Sequence, residues 1–339
     1  MATPPNALIS SAGRRAGLLR AVRGSLAERR PGAWVGAIDS GTSAPVRFLA
    51  EKFWRVPRCT HPDYGSALVE ICRENGVGLV IPTIDTELPF CARHRERFGG
   101  EGITLSISAE PVVAIACDKH ATHEWLVANG FPTVRQASPA QVLAKLSEWR
   151  WPLIAKPHDG SASIGVRRIA NEEELIHLAN TQPEYIVQEL ARGREFTVNL
   201  YVNRAGRCVC AVPHWRMEVR AGEVSKGITV KDPRLMDLAR RVAETLPGAR
   251  GPLNMQCFVD DDGDGDGTIA IIEINARFGG GYPLAHRAGA RFTDWLIDEQ
   301  EGGEVAPYDA WTDDLAMLRY DEAVFSTGNV VFAQDKAPA

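Results

Sequence analysis

Over its first hundred residues the chain alternates short apolar runs with amphipathic stretches. NALISSA, AWVGAID and GLVIPTID read as buried strands, while the arginine-rich stretch to Arg30 and the segment closing on CRENG read as helices. Apolar strands separated by helices predict a parallel sheet covered on both faces. Ligands in such sheets bind beyond the carboxyl ends of the strands. Here those ends carry Ser11 to Arg15, Asp39, and Asp85 with Glu87.

The pattern then changes. Ser108 to Gly130 reads as two helical pieces, with Pro111 in a first turn and Gly130 at a stop. A second α+β unit follows: the strand WPLIAKP, the loop HDGSASIG, the strand VRRIA and the helix NEEELIHLA. Asn171 suits the cap of that helix, with Glu174 at the capping-box position. After YIVQEL come GREFTVNLYVN, GRCVCAVPHWRMEVRAG, a helix near 232–246, NMQCFVD and TIAIIEIN. This set predicts a mostly antiparallel sheet with one or two helices. LAMLRYDEAVFSTGN reads as a strand returning to a sheet, and no chemistry attaches to it.

Composition narrows the function. The 339 residues are 45% hydrophobic and 24% charged, ordinary for a globular protein of two or three domains. Net charge is -5, so the broad positive field of a nucleic-acid binder is missing. No apolar run approaches the roughly 20 residues that span a bilayer. The opening MATPPNALISSAGRRAG has too short an apolar stretch, and its charge on the wrong side, for a signal peptide. The expectation is a cytoplasmic protein without membrane or nucleic-acid partners. Seven scattered cysteines without a C-x-x-C pair argue against a disulfide framework or a zinc site and read as buried thiols, Cys208 and Cys210 sharing one strand face.

Several residues carry chemistry. In IIEINARFGGG, Glu273 and Asn275 stand two apart on a strand and point to one face, with Ile272 and Ile274 packing the other. A carboxylate and an amide oxygen suit a hard cation such as magnesium. Arg277 and the three glycines after it make an anion-accepting turn. Taken alone, the motif reads equally well as an exposed strand end entering a turn.

The loop from Gly160 to Gly165 can wrap phosphates with backbone N–H groups while Lys156 neutralises charge. Val166 and Arg167 stand where a Walker A motif needs Lys and Ser/Thr, so a glycine-rich hairpin beside a lysine remains an alternative. SAGRRAG lacks the full G-x-G-x-x-G of a dinucleotide site. DDGDGDG begins like an EF-hand loop, but Ile271 occupies the position of the bidentate glutamate, which favours a hairpin turn. His120 and His123 could share a metal but lack a third ligand nearby in sequence. Glu87 and Asp85 could bind a substrate amino group or merely cap the next helix.

In order and spacing, Lys119, Lys156 with DGSASIG, QEL at Gln188 to Leu190, GREF with Glu195, and Gln256 ahead of Glu273-Ile-Asn275-x-Arg277 resemble the ATP-grasp superfamily. The resemblance spans roughly residues 6–300. It is nearest to stand-alone proteins similar to one ATP-grasp half of the carbamoyl-phosphate synthase large subunit, and more distant to biotin carboxylase and D-alanine–D-alanine ligase. It implies a fold of α/β and α+β parts: a doubly wound, Rossmann-like pre-ATP-grasp domain over 1–106, lobe 1 over 107–186, lobe 2 over 187–325, and a disordered tail over 326–339.

By resemblance, Lys119 and Lys156 contact ATP phosphates, and Ser161, Ser163 and Gly165 belong to the loop that closes on them. Glu189 and Leu190 line the adenine pocket, and Glu195 takes the ribose hydroxyls. Gln256, Glu273 and Asn275 hold one or two Mg2+ (or Mn2+) ions, Gln256 standing where many relatives have a carboxylate. Arg277 steadies the phosphoryl group in transfer. In HWRMEVRAGEVSKGITV, the residues Arg216, Arg220, Lys226 and Thr229 face the reacting carboxylate, unless the stretch is a solvated basic strand. The implied activity is an ATP-dependent carboxylate–amine ligase working through an acyl phosphate on an amino acid or similar small carboxylate. The resemblance also allows a homodimer. Alternatives are a carbamoyl-phosphate-synthase-like subunit phosphorylating bicarbonate or carbamate, a non-catalytic ATP-binding protein, and a nicotinamide enzyme that the missing glycine pattern disfavours.

Overall fold

The computed structural model describes residues 5–159, 164–261, 267–328 and 330. Its first part has strands β1 (Asn6–Ile9), β2 (Val35–Asp39), β3 (Lys52–Arg55), β4 (Val77–Ile81) and β5 (Thr104–Leu105), with helices α1 (Ala16–Arg29), α2 (Tyr64–Glu74) and α3 (Leu88–Gly100). All the pairings are parallel, in the order β3-β2-β1-β4-β5. Strands β1 and β4 are buried at every position, which is why they read as unbroken apolar runs. The order reverses between β1 and β4, so the loops after them, with Arg15 and Asp85, open onto the rest of the molecule.

Helices α4 (Glu110–Cys117) and α5 (Lys119–Ala128) lead into lobe 1. Its four-stranded sheet is built from β6 (Gln136–Ala137), β7 (Leu153–Lys156), β8 (Arg167–Ile169) and β9 (Ile186–Glu189), and it carries α6 (Pro139–Leu143) and α7 (Glu172–Thr181). The sheet runs through Glu189, so a boundary after residue 186 would cut β9. Helix α7 starts as its sequence predicts: Asn171 Oδ1 accepts from the Glu174 N–H at 3.0 Å, and the Glu174 carboxylate accepts from the Ala170 N–H at 2.8 Å. Caps of this kind contribute roughly 1 kcal/mol.

Lobe 2 is a six-stranded sheet in the order β14-β13-β10-β11-β12-β15. Its strands are β10 (Arg194–Val202), β11 (Cys208–Arg220), β12 (Glu223–Thr229), β13 (Gly251–Asp260), β14 (Thr268–Asn275) and β15 (Ala316–Leu318), and α8 (Pro233–Thr245), α9 (Tyr282–Arg287) and α10 (Phe292–Gln300) pack with them. The late apolar stretch does return to a sheet, since β15 pairs antiparallel with β12. The cysteines are free thiols, mostly buried, and no helix among the described residues is long and apolar enough to cross a membrane.

The apolar interior is divided unequally. One cluster runs continuously from the parallel sheet into lobe 2, joining Leu8, Leu19 and Val80 to Tyr201, Met255 and Phe292. Lobe 1 has a separate small core around Trp149, Leu153, Leu175 and Val187.

In β14, Gln256 stands opposite Glu273 while the next residue, Cys257, stands opposite Ile271, so Ile272 is an extra residue. Such a bulge re-aims side chains. Ile271 and Ile274 are both buried in the core, whereas Ile272 joins Glu273 on the cavity. The expectation that Ile272 packs opposite Glu273 therefore fails, because strict two-residue alternation breaks at the bulge.

Candidate nucleotide site between the lobes

A cavity of about 470 Å³ opens where the parallel-sheet domain and the two lobes meet. Its lysines come from defined local structure. On β7, Leu153 and Ala155 fill the lobe 1 core, so Ile154 and Lys156 face the cavity. Lys156 is 8% exposed. Burial above all, opposed by Glu273 and Glu195 and aided by Lys119, brings its pKa down to about 8. Lys119 is the first residue of α5, behind the cap Asp118, whose carboxylate accepts from the N–H groups of His120 and Ala121.

The lobe 2 strands supply the oxygen donors. Gln256 on β13 and Glu273 on β14 are directly opposed, and Asn275 lies two residues further along. All three line the cavity. Arg277 follows, giving two hydrogen bonds of 2.8 Å to the Asp85 carboxylate of the parallel-sheet domain and one of 3.0 Å to Asn275 Oδ1. Burial opposes the arginine's charge, but Asp85, together with Glu273 and Glu223, outweighs it and holds the pKa above its ordinary value. One carboxylate and two amide oxygens, side by side with an arginine, fit a divalent cation accompanied by anionic ligands. Among the described residues no cluster of three His, Cys, Asp or Glu side chains offers a rival site, and His120 and His123 gain no third ligand.

One section of the cavity is apolar, with Val134, Ile154, Leu190, Phe258 and Ile272 drawn from both lobes and their connection. Glu189 and Glu195 also line it. Glu195 forms a 2.9 Å ion pair with Arg216, which also donates to Thr197 Oγ1 and to the Gly222 carbonyl. The glycines after Arg277 are required by close approach. A Cβ on Gly280 would lie 2.6 Å from the Glu223 carboxyl carbon, and one on Gly281 would lie 2.5 Å from His214 Nε2. Gly165 has φ +76°, a left-handed conformation that favours glycine, and a Cβ there would press on Tyr185 and Pro157.

The structure thus brings together Lys119, Lys156, Glu189, Leu190, Glu195, Arg216, Gln256, Glu273, Asn275 and Arg277. Four expected site residues go elsewhere, one of them Thr229, whose buried hydroxyl donates to the Thr312 carbonyl at 2.9 Å. Glu87 is fully buried, accepting from Ser10, Ser11 and Tyr64 hydroxyls and from the N–H groups of Thr83 and Ile84. Five donors make it the internal tie of the turn after β4, and Asp85 is the acid that reaches the cavity. Arg220 pairs with Asp321 at 3.4 Å and lies near Glu218, while Lys226 pairs with Glu218 at 2.6 Å; both are about half exposed on the outer side of the β11–β12 hairpin. Their alternation with acids marked a solvated face. Ser161 and Ser163 lie outside the described residues, as does most of DDGDGDG.

Sequence reasoning passed over Glu223, Arg319, Asn254, Asn199 and His214. Glu223 bridges Arg15 at 3.1 Å and Arg319 at 3.0 Å, tying the first turn of the parallel-sheet domain to the hairpin and the C-terminal strand. No motif links these three segments, which are far apart along the chain.

A parallel-sheet domain set against two lobes that share a lysine- and carboxylate-lined cleft defines a clamp-type nucleotide fold. Residues 116–281 match the ATP-grasp domain family, and residues 7–106 match the PylC-like N-terminal domain family. The chain belongs to the ATP-grasp superfamily. A D-alanine–D-alanine ligase from Pseudomonas entomophila (strain L48) is 27% identical over 200 residues, which is 54% of this chain and 59% of that enzyme. The chain thus spans little more than half the length of such curated relatives. Among solved structures, the biotin carboxylase–β,γ-ATP complex from Campylobacter jejuni superposes with a TM-score of 0.73 at 13% identity, over 93% of this chain and 75% of the other. The N5-carboxyaminoimidazole ribonucleotide synthetase from Thermotoga maritima gives 0.64 at 17%, over 89% and 77%. The biotin carboxylase domain of Hydrogenobacter thermophilus 2-oxoglutarate carboxylase, solved with MgADP and bicarbonate, gives 0.71 at 16%, over 92% and 73%.

Proposed function

We propose that the protein is an ATP-dependent carboxylate–amine ligase. The carboxylate of one substrate attacks the γ-phosphate of ATP, ADP leaves, and an amine then displaces phosphate from the acyl phosphate. The observation that carries this reading is the grouping of Lys119, Lys156, Glu273 and Arg277 at one cavity beside an apolar section open to both lobes. Phosphoryl transfer needs positioning and charge neutralisation more than covalent help from the protein. The two lysines bind phosphate oxygens, and Arg277, held by Asp85, steadies the phosphoryl group. Glu273, Gln256 and Asn275 would hold Mg2+, or Mn2+ in its place, which neutralises phosphate charge when bound. Ile154, Leu190, Phe258 and Ile272 enclose the adenine next to Glu189, and Glu195 takes the ribose. The D-alanine–D-alanine ligase relatives and the MgADP complex of a neighbour support the same assignment.

Ionic groups at the domain junction favour an amino acid as the carboxylate. Arg15, Arg277 and Arg319 meet Asp85 and Glu223 there, so both a carboxylate and an ammonium find partners. The test is a phosphate-release screen of amino acids, singly and in pairs, with mass spectrometry of any product. ADP and a condensed product support the reading; nucleotide binding with no phosphate release from any pair overturns it in favour of a non-catalytic binder.

Lys156 gives this reading a pH signature. Below about pH 8 the buried lysine is already charged and meets ATP directly. Above that value it must take up a proton as the polyphosphate binds. Affinity for ATP is therefore expected to fall by up to about tenfold per pH unit above pH 8, and Lys156→Met should flatten that slope. Calorimetric titration from pH 7 to 9.5 checks it, and a flat wild-type profile would count against the assignment.

A further inference from the structure

Three asparagines lie in one row across the lobe 2 sheet. Asn199 on β10 is in register with Asn254 on β13, and Asn254 with Asn275 on β14. Each is at most 2% exposed, an unusual burial for so polar a series. On the far side His214, fully buried on β11, meets Asn199 Nδ2 through Nδ1 at 3.2 Å. Burial pushes the imidazole pKa down to about 3, so this end of the row is neutral.

The orientation of the Asn275 and Asn254 amides follows from chemistry. Arginine can only donate, so the group that Arg277 meets at 3.0 Å is the Asn275 carbonyl oxygen. Its NH2 then turns to Asn254 Oδ1, at 3.2 Å. The NH2 of Asn254 in turn donates to the Arg277 carbonyl at 3.1 Å. Asn254 thereby holds both ends of the Asn275–Arg277 segment. Gly279 lies over it closely enough that a Cβ would come within 3.2 Å of its amide nitrogen.

We infer that the row Asn199–Asn254–Asn275 is the positioning device of the cation site, with Asn254 as the residue that keeps the Asn275 carbonyl oxygen turned toward the cavity. Asn254 acts through Asn275 and Arg277 and is a positioning residue. Without it, the Asn275 NH2 loses its acceptor, Arg277 alone orients the amide, and the carbonyl oxygen that a cation needs is less firmly fixed. The inference rests on the reading that Glu273, Gln256 and Asn275 are the cation's ligands.

The test is equilibrium binding of a non-hydrolysable ATP analogue in EDTA and in saturating magnesium. Wild type should bind more tightly with magnesium. Asn254→Ala should lose most of that gain, about 10- to 100-fold, as groups that orient metal ligands do, a larger loss than any it shows in EDTA. Asn199→Ala, one strand further away and less exposed to the risk of misfolding at the site, should lose a smaller part of the same gain. Melting temperature is followed in parallel, because a loss of packing alone would not single out the magnesium-dependent part. Magnesium gains equal to wild type in both folded variants would overturn the inference. A wild type that shows no magnesium gain would instead overturn the cation-site reading beneath it.

Discussion

Replacing Lys156 or Glu273 by alanine is expected to end ADP formation, with a loss of at least about a hundredfold in each case. The two residues stand on different lobes, Lys156 at the end of β7 and Glu273 at the bulge of β14, and they attract each other across the cavity. Lys156→Ala removes a cation from a site that holds it partly against its own desolvation. Glu273→Ala removes the carboxylate among three oxygen donors, leaving two neutral amides that cannot balance a divalent ion. The lysine variant should therefore weaken the nucleotide itself, and the glutamate variant chiefly its magnesium-dependent binding. Neither should lower the melting temperature greatly, since both side chains face the cavity. ADP release measured by a coupled assay, with substrates found in the screen, decides the matter. Unchanged turnover in both variants would sink the ligase assignment.

The second large effect concerns Arg277 and Asp85, a bidentate pair whose side chains are 12% and 19% exposed. Arg277→Met leaves Asp85 charged and largely enclosed, which should cost about 3 kcal/mol of stability, seen as a drop of several degrees in Tm. Asp85→Asn/Arg277→Met removes both charges and should recover more than half of that loss. Turnover should stay absent in both. A double variant that regains turnover would show that the pair only docks the parallel-sheet domain onto lobe 2.

How far the chain could be read ahead of its structure depends on the kind of information each feature needs. The apolar runs of β1 and β4, the Asn171 cap and the return of β15 rest on local pattern, and they appear as expected. Lys156, Glu273 and Arg277 were legible because strand alternation and sequence order suffice to place them. The Ile272 bulge was not, since a two-residue period contains no term for an inserted residue. Glu87 and Asp85 are both acids at one strand end, and only the three-dimensional turn decides which is buried and which reaches Arg277. Arg220 and Lys226 failed for a related reason: charge alone does not say which side of a hairpin faces the cleft. The asparagine row depends on register between strands that no spacing along the chain encodes.

The division of the apolar interior has a mechanical consequence. Trp149, Leu153, Leu175 and Val187 stabilise lobe 1 from within, and the larger cluster is complete without them. Lobe 1 can therefore shift against the rest without opening either core, so the work of opening falls on the cavity contacts and on a few polar ties, such as the Lys119 N–H to the His158 carbonyl and the Gln136 amide to the Lys119 carbonyl. Much of the free energy that shuts the jaw is then supplied by whatever bridges Lys156 to Glu273, and grip strength becomes in large part a property of the cargo.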